Sequence, residues 1–122
     1  FGLAVLVGST PQAAIGFDYY PNSSTINAVV FNGTVQAFGF GQPITIPNLQ
    51  FNKTVLAYKL NDFAYSINGG ATSADSSGVV PQPDKLNIGS YLNGNERARL
   101  HIKKLSYFPQ RLSNEELQEM TS

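Results

Sequence analysis

Short apolar runs, most alternating with a period of two and each closed by Gly, Pro, Asn or Ser, follow one another along this chain. Phe1 to Val7 (FGLAVLV) is almost continuously apolar and is closed by Gly8-Ser9-Thr10-Pro11, the pattern of a strand buried on both faces rather than an edge strand. Ile15, Phe17 and Tyr19 alternate with Gly16, Asp18 and Tyr20, predicting a second strand that stops at Pro21-Asn22-Ser23-Ser24. In the third, Ile26, Ala28 and Val30 face one way and Asn27, Val29 and Phe31 the other. Asn32-Gly33 then predicts a type I′ turn into a strand over Thr34 to Phe40. Ile44 and Ile46 flank Thr45 between prolines, which suits a short edge strand.

The second half continues in the same way. Lys53 to Leu60 and Phe63 to Asn68 predict a tight hairpin turning at Asn61-Asp62, with Leu60 opposite Phe63, because both turn residues tolerate positive φ. Asn68-Gly69-Gly70 turns the chain again, and Ala71 to Pro83 reads as loop with room for one short strand. Leu86 and Ile88 restart the sheet in a strand ending at Gly89. After a polar turn, Ala98, Leu100 and Ile102 alternate with Arg97, Arg99, His101 and Lys103. This predicts a long strand from about Arg97 to Phe108, with a bulge at Lys103 or Lys104 restoring the register for Leu105 and Tyr107. A short helix closes the chain: Ser113 and Glu116 form an S-x-x-E capping box, and Leu112 and Leu117 sit where a hydrophobic staple fixes the start.

The run I-G-S, a polar turn, then H-I-K-K-L-S-Y-F-P-Q-R-L-S-N-E-E-L-Q-E-M-T resembles the closing segment of concanavalin A-like lectin/glucanase (laminin-G-like) jelly rolls. It is most similar to those of bacteriophage tail fibres, tailspikes and other virion proteins. Leu86, Ile88, Gly89, His101, Ile102, Leu105, Tyr107, Pro109, Arg111, Leu112, Ser113, Glu116 and Leu117 carry the resemblance, and V-L-A-Y-K-L-N-D-F-A-Y-S-I-N-G-G (Val55 to Gly70) resembles the family's central hairpin. Together these cover Val55 to Thr121; the N-terminal half matches only in general character. The resemblance implies an antiparallel β-sandwich of jelly-roll type with one short C-terminal helix packed on its rim. In phage particles such modules serve as host-glycan receptors, spacers or decorations on fibres, commonly as homotrimers, so a virion surface is the implied location.

At 122 residues the chain is expected to form a single domain over 1–122, and its opening at Phe1 without Met is read as the mark of a domain excised or processed from a longer protein. Lys and Arg number 8 and Asp and Glu 8, so the charge balances and no broad basic face is expected to hold nucleic acid or anionic lipid. The absence of Cys excludes a disulfide framework and thiolate metal sites. These residues show no signal-peptide pattern and no apolar run near the roughly 20 residues of a membrane span.

Candidate chemistry is sparse. A glycosidase needs two carboxylates flanking one bond, about 5 Å apart in a retaining enzyme. The acids here are Asp18, Asp62, Asp75, Asp84, Glu96, Glu115, Glu116 and Glu119, and no two fall on one predicted strand face. The single histidine, His101, has no accompanying nucleophile motif and reads as a surface residue. No cofactor is expected. Calcium, which laminin-G-like proteins often hold at a sheet rim, would have Asp18 with Asn22, or Asp75 with Ser76 and Ser77, as its best ligands, and turn chemistry explains both groups better. Sugar binding needs an aromatic platform with planar polar side chains around it. Tyr91, Asn93, Asn95 and Arg97 in the turn before the long strand are the preferred candidates, and Asp18 and Tyr20 at the end of the second strand come next. The sequons at Asn22, Asn32 and Asn52 are of the kind that Asn/Ser-rich turns generate by chance. The expected function is a non-catalytic carbohydrate-binding or receptor-recognition module of a phage fibre, its partners a host-surface polysaccharide and copies of itself, without nucleic acid or membrane. The alternative is a structural or assembly domain contacting neighbouring virion subunits, which an exposed apolar patch would favour.

Overall fold

The computed structural model describes residues 2–8, 13–20, 22, 25–32, 35–38, 44–45, 51–90, 97, 99 and 101–122. Among these, nine strands form two antiparallel sheets, and one helix closes the chain. The larger sheet, sheet A, is built from β1 (Gly2–Val7), β2 (Ala14–Tyr20), β3 (Thr25–Asn32), β4 (Val35–Phe38) and β9 (Lys85–Ile88), in the order β4-β3-β2-β1-β9. The short β5 (Ile44–Thr45) pairs with β3 beyond β4. Sheet B is the meander β6 (Thr54–Lys59), β7 (Asp62–Ile67) and β8 (Ser73–Asp75).

The alternation in the sequence decides which side chains lie between the sheets. Ile15 from β2 and Ile26, Ala28 and Val30 from β3 pack against Phe63, Tyr65 and Ile67 from β7, with Leu6, Phe17, Tyr19, Leu56, Tyr58 and Val80 around them. This shared core makes the arrangement sandwich-like. The opposite face of sheet A is buried as well, at Ala14, Gly16, Asp18, Thr25, Asn27 and Val29. β1 is paired on both sides, with β2 and β9, as its continuous apolar character predicts. At the end of β1 the chain approaches its neighbours closely: a Cβ on Gly8 would stand 2.8 Å from both Ala13 Cβ and the Gln82 carbonyl oxygen, so only glycine fits.

Two turns sit one residue from the expected position. Asn32 pairs with Val35, so the β3–β4 connection falls at 33–34 instead of 32–33, and its conformation lies outside the described residues. In the β6–β7 hairpin Lys59 pairs with Asp62 and Tyr58 with Phe63, leaving Leu60 and Asn61 as the loop. The reason is Asn61, which alone of the expected pair takes positive φ, at 54°. It is fixed there by Gly78, accepting at its backbone carbonyl the Asn61 N–H at 3.1 Å and donating its own N–H to Asn61 Oδ1 at 3.1 Å.

The helix α1 (Asn114–Thr121) lies on the outer face of sheet B, not on the rim. Its Leu117 is buried against Ala57 and Ala64, with Val55 and Leu112 beside it; two facing alanines in a cross-strand pair leave the space a helix needs to come close. The expected cap is present in full: Ser113 Oγ accepts the Glu116 N–H at 3.2 Å, and Glu116 Oε2 accepts the Ser113 N–H at 2.6 Å. Polar contacts fix the far end, where Thr121 Oγ1 and Ser66 Oγ lie 2.9 Å apart and Gly69 donates to Thr121 Oγ1 at 3.1 Å.

The largest departure concerns the long strand expected over Arg97 to Phe108. The described residues from Arg97 to Leu112 carry no strand, and hence no bulge at Lys103 or Lys104. Alternation specifies which face a strand would bury, but the strand also needs a partner edge that accepts and donates its ladder bonds. Here the segment meets β6 and the residues leading into it through side chains, Lys103 over the Phe51 ring and Tyr107 against Tyr58, while Ile102 and Leu105 stay exposed.

Candidate functional site

Three places in the fold gather polar or aromatic side chains. The first is an open hollow of about 560 Å³ beside the start of α1, lined by Asp62 and by Arg111 to Glu116. Its groups are bound to one another. Arg111 Nη2 donates to Asp62 Oδ1 at 2.9 Å and to Asn114 Oδ1 at 2.8 Å, and Nη1 donates to the Leu112 carbonyl. The Glu116 carboxylate serves the cap, and the Ser113 backbone N–H followed by the Ser113 hydroxyl holds it below the usual glutamate range. This hollow is a clasp that fastens the helix start to the first residue of β7. Two of its carboxylates, Asp62 and Glu116, are engaged in holding the helix start.

The second place is the end of β2. Asp18 pairs in register with Asn27 on the outer face of sheet A and is only 3% exposed, so its carboxylate faces protein instead of solvent. Tyr19 belongs to the core between the sheets, while Tyr20 is 43% exposed and Asn22 is exposed. The two candidates from this strand, Asp18 and Tyr20, are therefore separated by burial. Alternation assigns a face to each residue and does not say whether that face is covered.

The third place is the surface along residues 97–108. The turn preferred from sequence, with Tyr91, Asn93 and Asn95, lies outside the described residues; its last member, Arg97, is exposed. Beyond it, Lys103 Nζ stands 5.4 Å from the centroid of the Phe51 ring, a cation over an aromatic face. Phe51 is 68% exposed and Tyr107 is 72% exposed. Tyr107 lies beside Tyr58, whose hydroxyl is raised above the ordinary tyrosine range by burial first and by Tyr107 second. Two exposed aromatic side chains, one with a cation over its ring, thus lie beside β6 and the residues leading into it. Sequence reasoning missed Phe51 because it sits in no recognisable turn cluster. The signal available for Lys103 was its place in a run of alternating cations.

Ligands for calcium do not assemble on the loop after β8, where Asp75 Oδ1 accepts the Ser77 N–H at 2.9 Å and the Ser77 hydroxyl at 3.0 Å, an Asx-type turn. No group of three or more His, Cys, Asp or Glu is gathered among the described residues. Compared with known proteins, the chain matches no family model, no curated sequence and no solved structure.

Proposed function

We propose that this chain is a non-catalytic carbohydrate-binding module of the concanavalin A-like jelly-roll type, carried on the surface of a phage fibre or related particle and presented as a homotrimer. The observation that supports binding is the exposed pair Phe51 and Tyr107 with Lys103 over the Phe51 ring. Flat aromatic faces open to solvent suit the apolar side of a pyranose, and a neighbouring ammonium offers donors to its hydroxyls. The particle, its trimeric state and the jelly-roll type rest on the resemblance of the segments Val55 to Gly70 and Leu86 to Thr121. A glycan array probed with the isolated chain tests the reading: it gives at least one reproducible glycan that Phe51→Ala and Tyr107→Ala both weaken. An array without signal, or a signal that both variants retain, would refute it.

A second reading, an assembly domain that contacts neighbouring subunits, is favoured by a different observation. Leu86 of β9 pairs with Leu6 of β1 and shares its face, toward sheet B, yet Leu86 is 46% and Ile88 54% exposed. Sheet B does not reach far enough to cover them. Light scattering across a concentration series, read beside the array, tests it: an assembly domain associates in a way that Leu86→Ser with Ile88→Ser abolishes and gives no array signal, and association unchanged in that variant would refute it.

A further inference from the structure

The chain carries 8 Lys and Arg against 8 Asp and Glu, but they are not evenly mixed. The stretch 97–111 holds Arg97, Arg99, Lys103, Lys104, Arg111 and the single His101, and contains no Asp or Glu. Arg111 is taken by Asp62, 2.9 Å away. Arg99, His101, Lys103 and Lys104 are all exposed. Lys103 leans on an aromatic ring instead of an anion, which leaves its outward N–H donors for a ligand.

We propose that this basic run, with Phe51 and Tyr107, is a binding site for acidic polysaccharides, pyranose chains that carry carboxylates. The inference rests on the glycan-binding reading above and names its ligand class. A single exposed ion pair contributes little, so one small anion would be held weakly. Cations spaced along several consecutive residues instead suit a linear polyanion that meets them in turn, each contact raising the effective concentration for the next. Arginine adds a planar fork that matches a carboxylate. The aromatic faces set the partner's other requirement, since a pyranose presents an apolar side between its charged substituents. Nucleic acid is the poorer match: the molecule as a whole is neutral, and Arg99, Lys103 and Lys104 can neutralise only a few phosphates.

The test is calorimetric titration of the whole chain with polygalacturonate, with dextran as a neutral polymer and an oligothymidylate as a polyanion without sugar carboxylates. Polygalacturonate is expected to bind, to weaken with added salt, and to lose about tenfold or more in affinity in the combined variant Arg99→Ser, Lys103→Ser, Lys104→Ser. Arg99→Gln with Lys104→Gln, which leaves the Lys103–Phe51 contact in place, is expected to fall between this variant and the parent and keeps the test decisive if the triple variant misfolds. Parental affinity in the substituted chains, or tighter binding of oligothymidylate than of polygalacturonate at equal salt, overturns the proposal. If the array yields a neutral glycan whose binding ignores salt and these substitutions while polygalacturonate stays silent, this inference fails and the glycan-binding reading stands. Silence from every polymer and from the array removes both.

Discussion

Ser113 and Glu116 satisfy each other's backbone N–H groups, and the pair was legible because the whole device lies within four consecutive residues. Replacing Ser113 with Ala is expected to cost about 1 kcal/mol, read as a lower urea midpoint with an unchanged slope. The Glu116 carboxylate is held below its ordinary range by the Ser113 backbone N–H first and the Ser113 hydroxyl second. A carboxylate whose folded pKa is depressed stabilises the fold above its unfolded value, and the contribution disappears as pH falls through the folded value. Melting temperatures of the parent and Glu116→Gln should therefore differ most above about pH 5 and converge on acidification below the usual glutamate range near pH 4. A gap that widens toward acid would contradict the cap as described. Asp18 shows the limit of local reading. Its alternation with Phe17 and Tyr19 put it on the face of β2 opposite the shared core, but alternation alone does not say whether that face meets solvent, and Asp18 is buried there.

At the level of elements, the seat of α1 on sheet B is the most strongly determined contact outside the shared core. Leu117 enters a space bounded by Ala57 and Ala64, and Arg111, Thr121 and Gln118 tie the helix to Asp62, Ser66 and Gly69. Leu117→Ala is expected to destabilise by about 2–5 kcal/mol, enough to move the whole thermal transition if the helix is part of one cooperative unit. A separate early transition in that variant would mean that the helix melts on its own. Strands β1, β2, β3, β6, β7 and β9 were legible because each shows alternation or a continuous apolar run between turn residues, and pairing supplied what the pattern asked for. The two misplaced turns differ by one residue, because several neighbouring residues tolerate the turn and tertiary bonds such as those from Gly78 to Asn61 choose among them. The segment after Arg97 failed for a different reason: its periodicity is strand-like, while no edge takes up its ladder among the described residues.

For the molecule as a whole, the unequal width of the two sheets matters most. Sheet A extends past sheet B at β9, leaving Leu86 and Ile88 open, and the aromatic and basic surface runs along the other sheet at β6. A glycan-binding role and an assembly role thus draw on different surfaces and are separable by substitution. Asp62 and Glu116 are engaged in the clasp and the cap, and no two acids fall on one strand face in the sequence pattern, so a non-catalytic module is expected to release no more reducing sugar from β-glucans or bacterial polysaccharides than buffer. Of the residues on this surface, Arg97 alone stood out in the sequence as a candidate, and the cations after it read as one face of a strand. Phe51 was not, since its approach to Lys103 is made only by the fold. The most direct measurement is a ¹H–¹⁵N titration of the chain with the strongest glycan from the array. Shift changes should centre on Phe51, Tyr58, Lys103 and Tyr107. Changes confined to the hollow beside Arg111, or to the end of β2 at Tyr20, would contradict the assignment of binding to this surface.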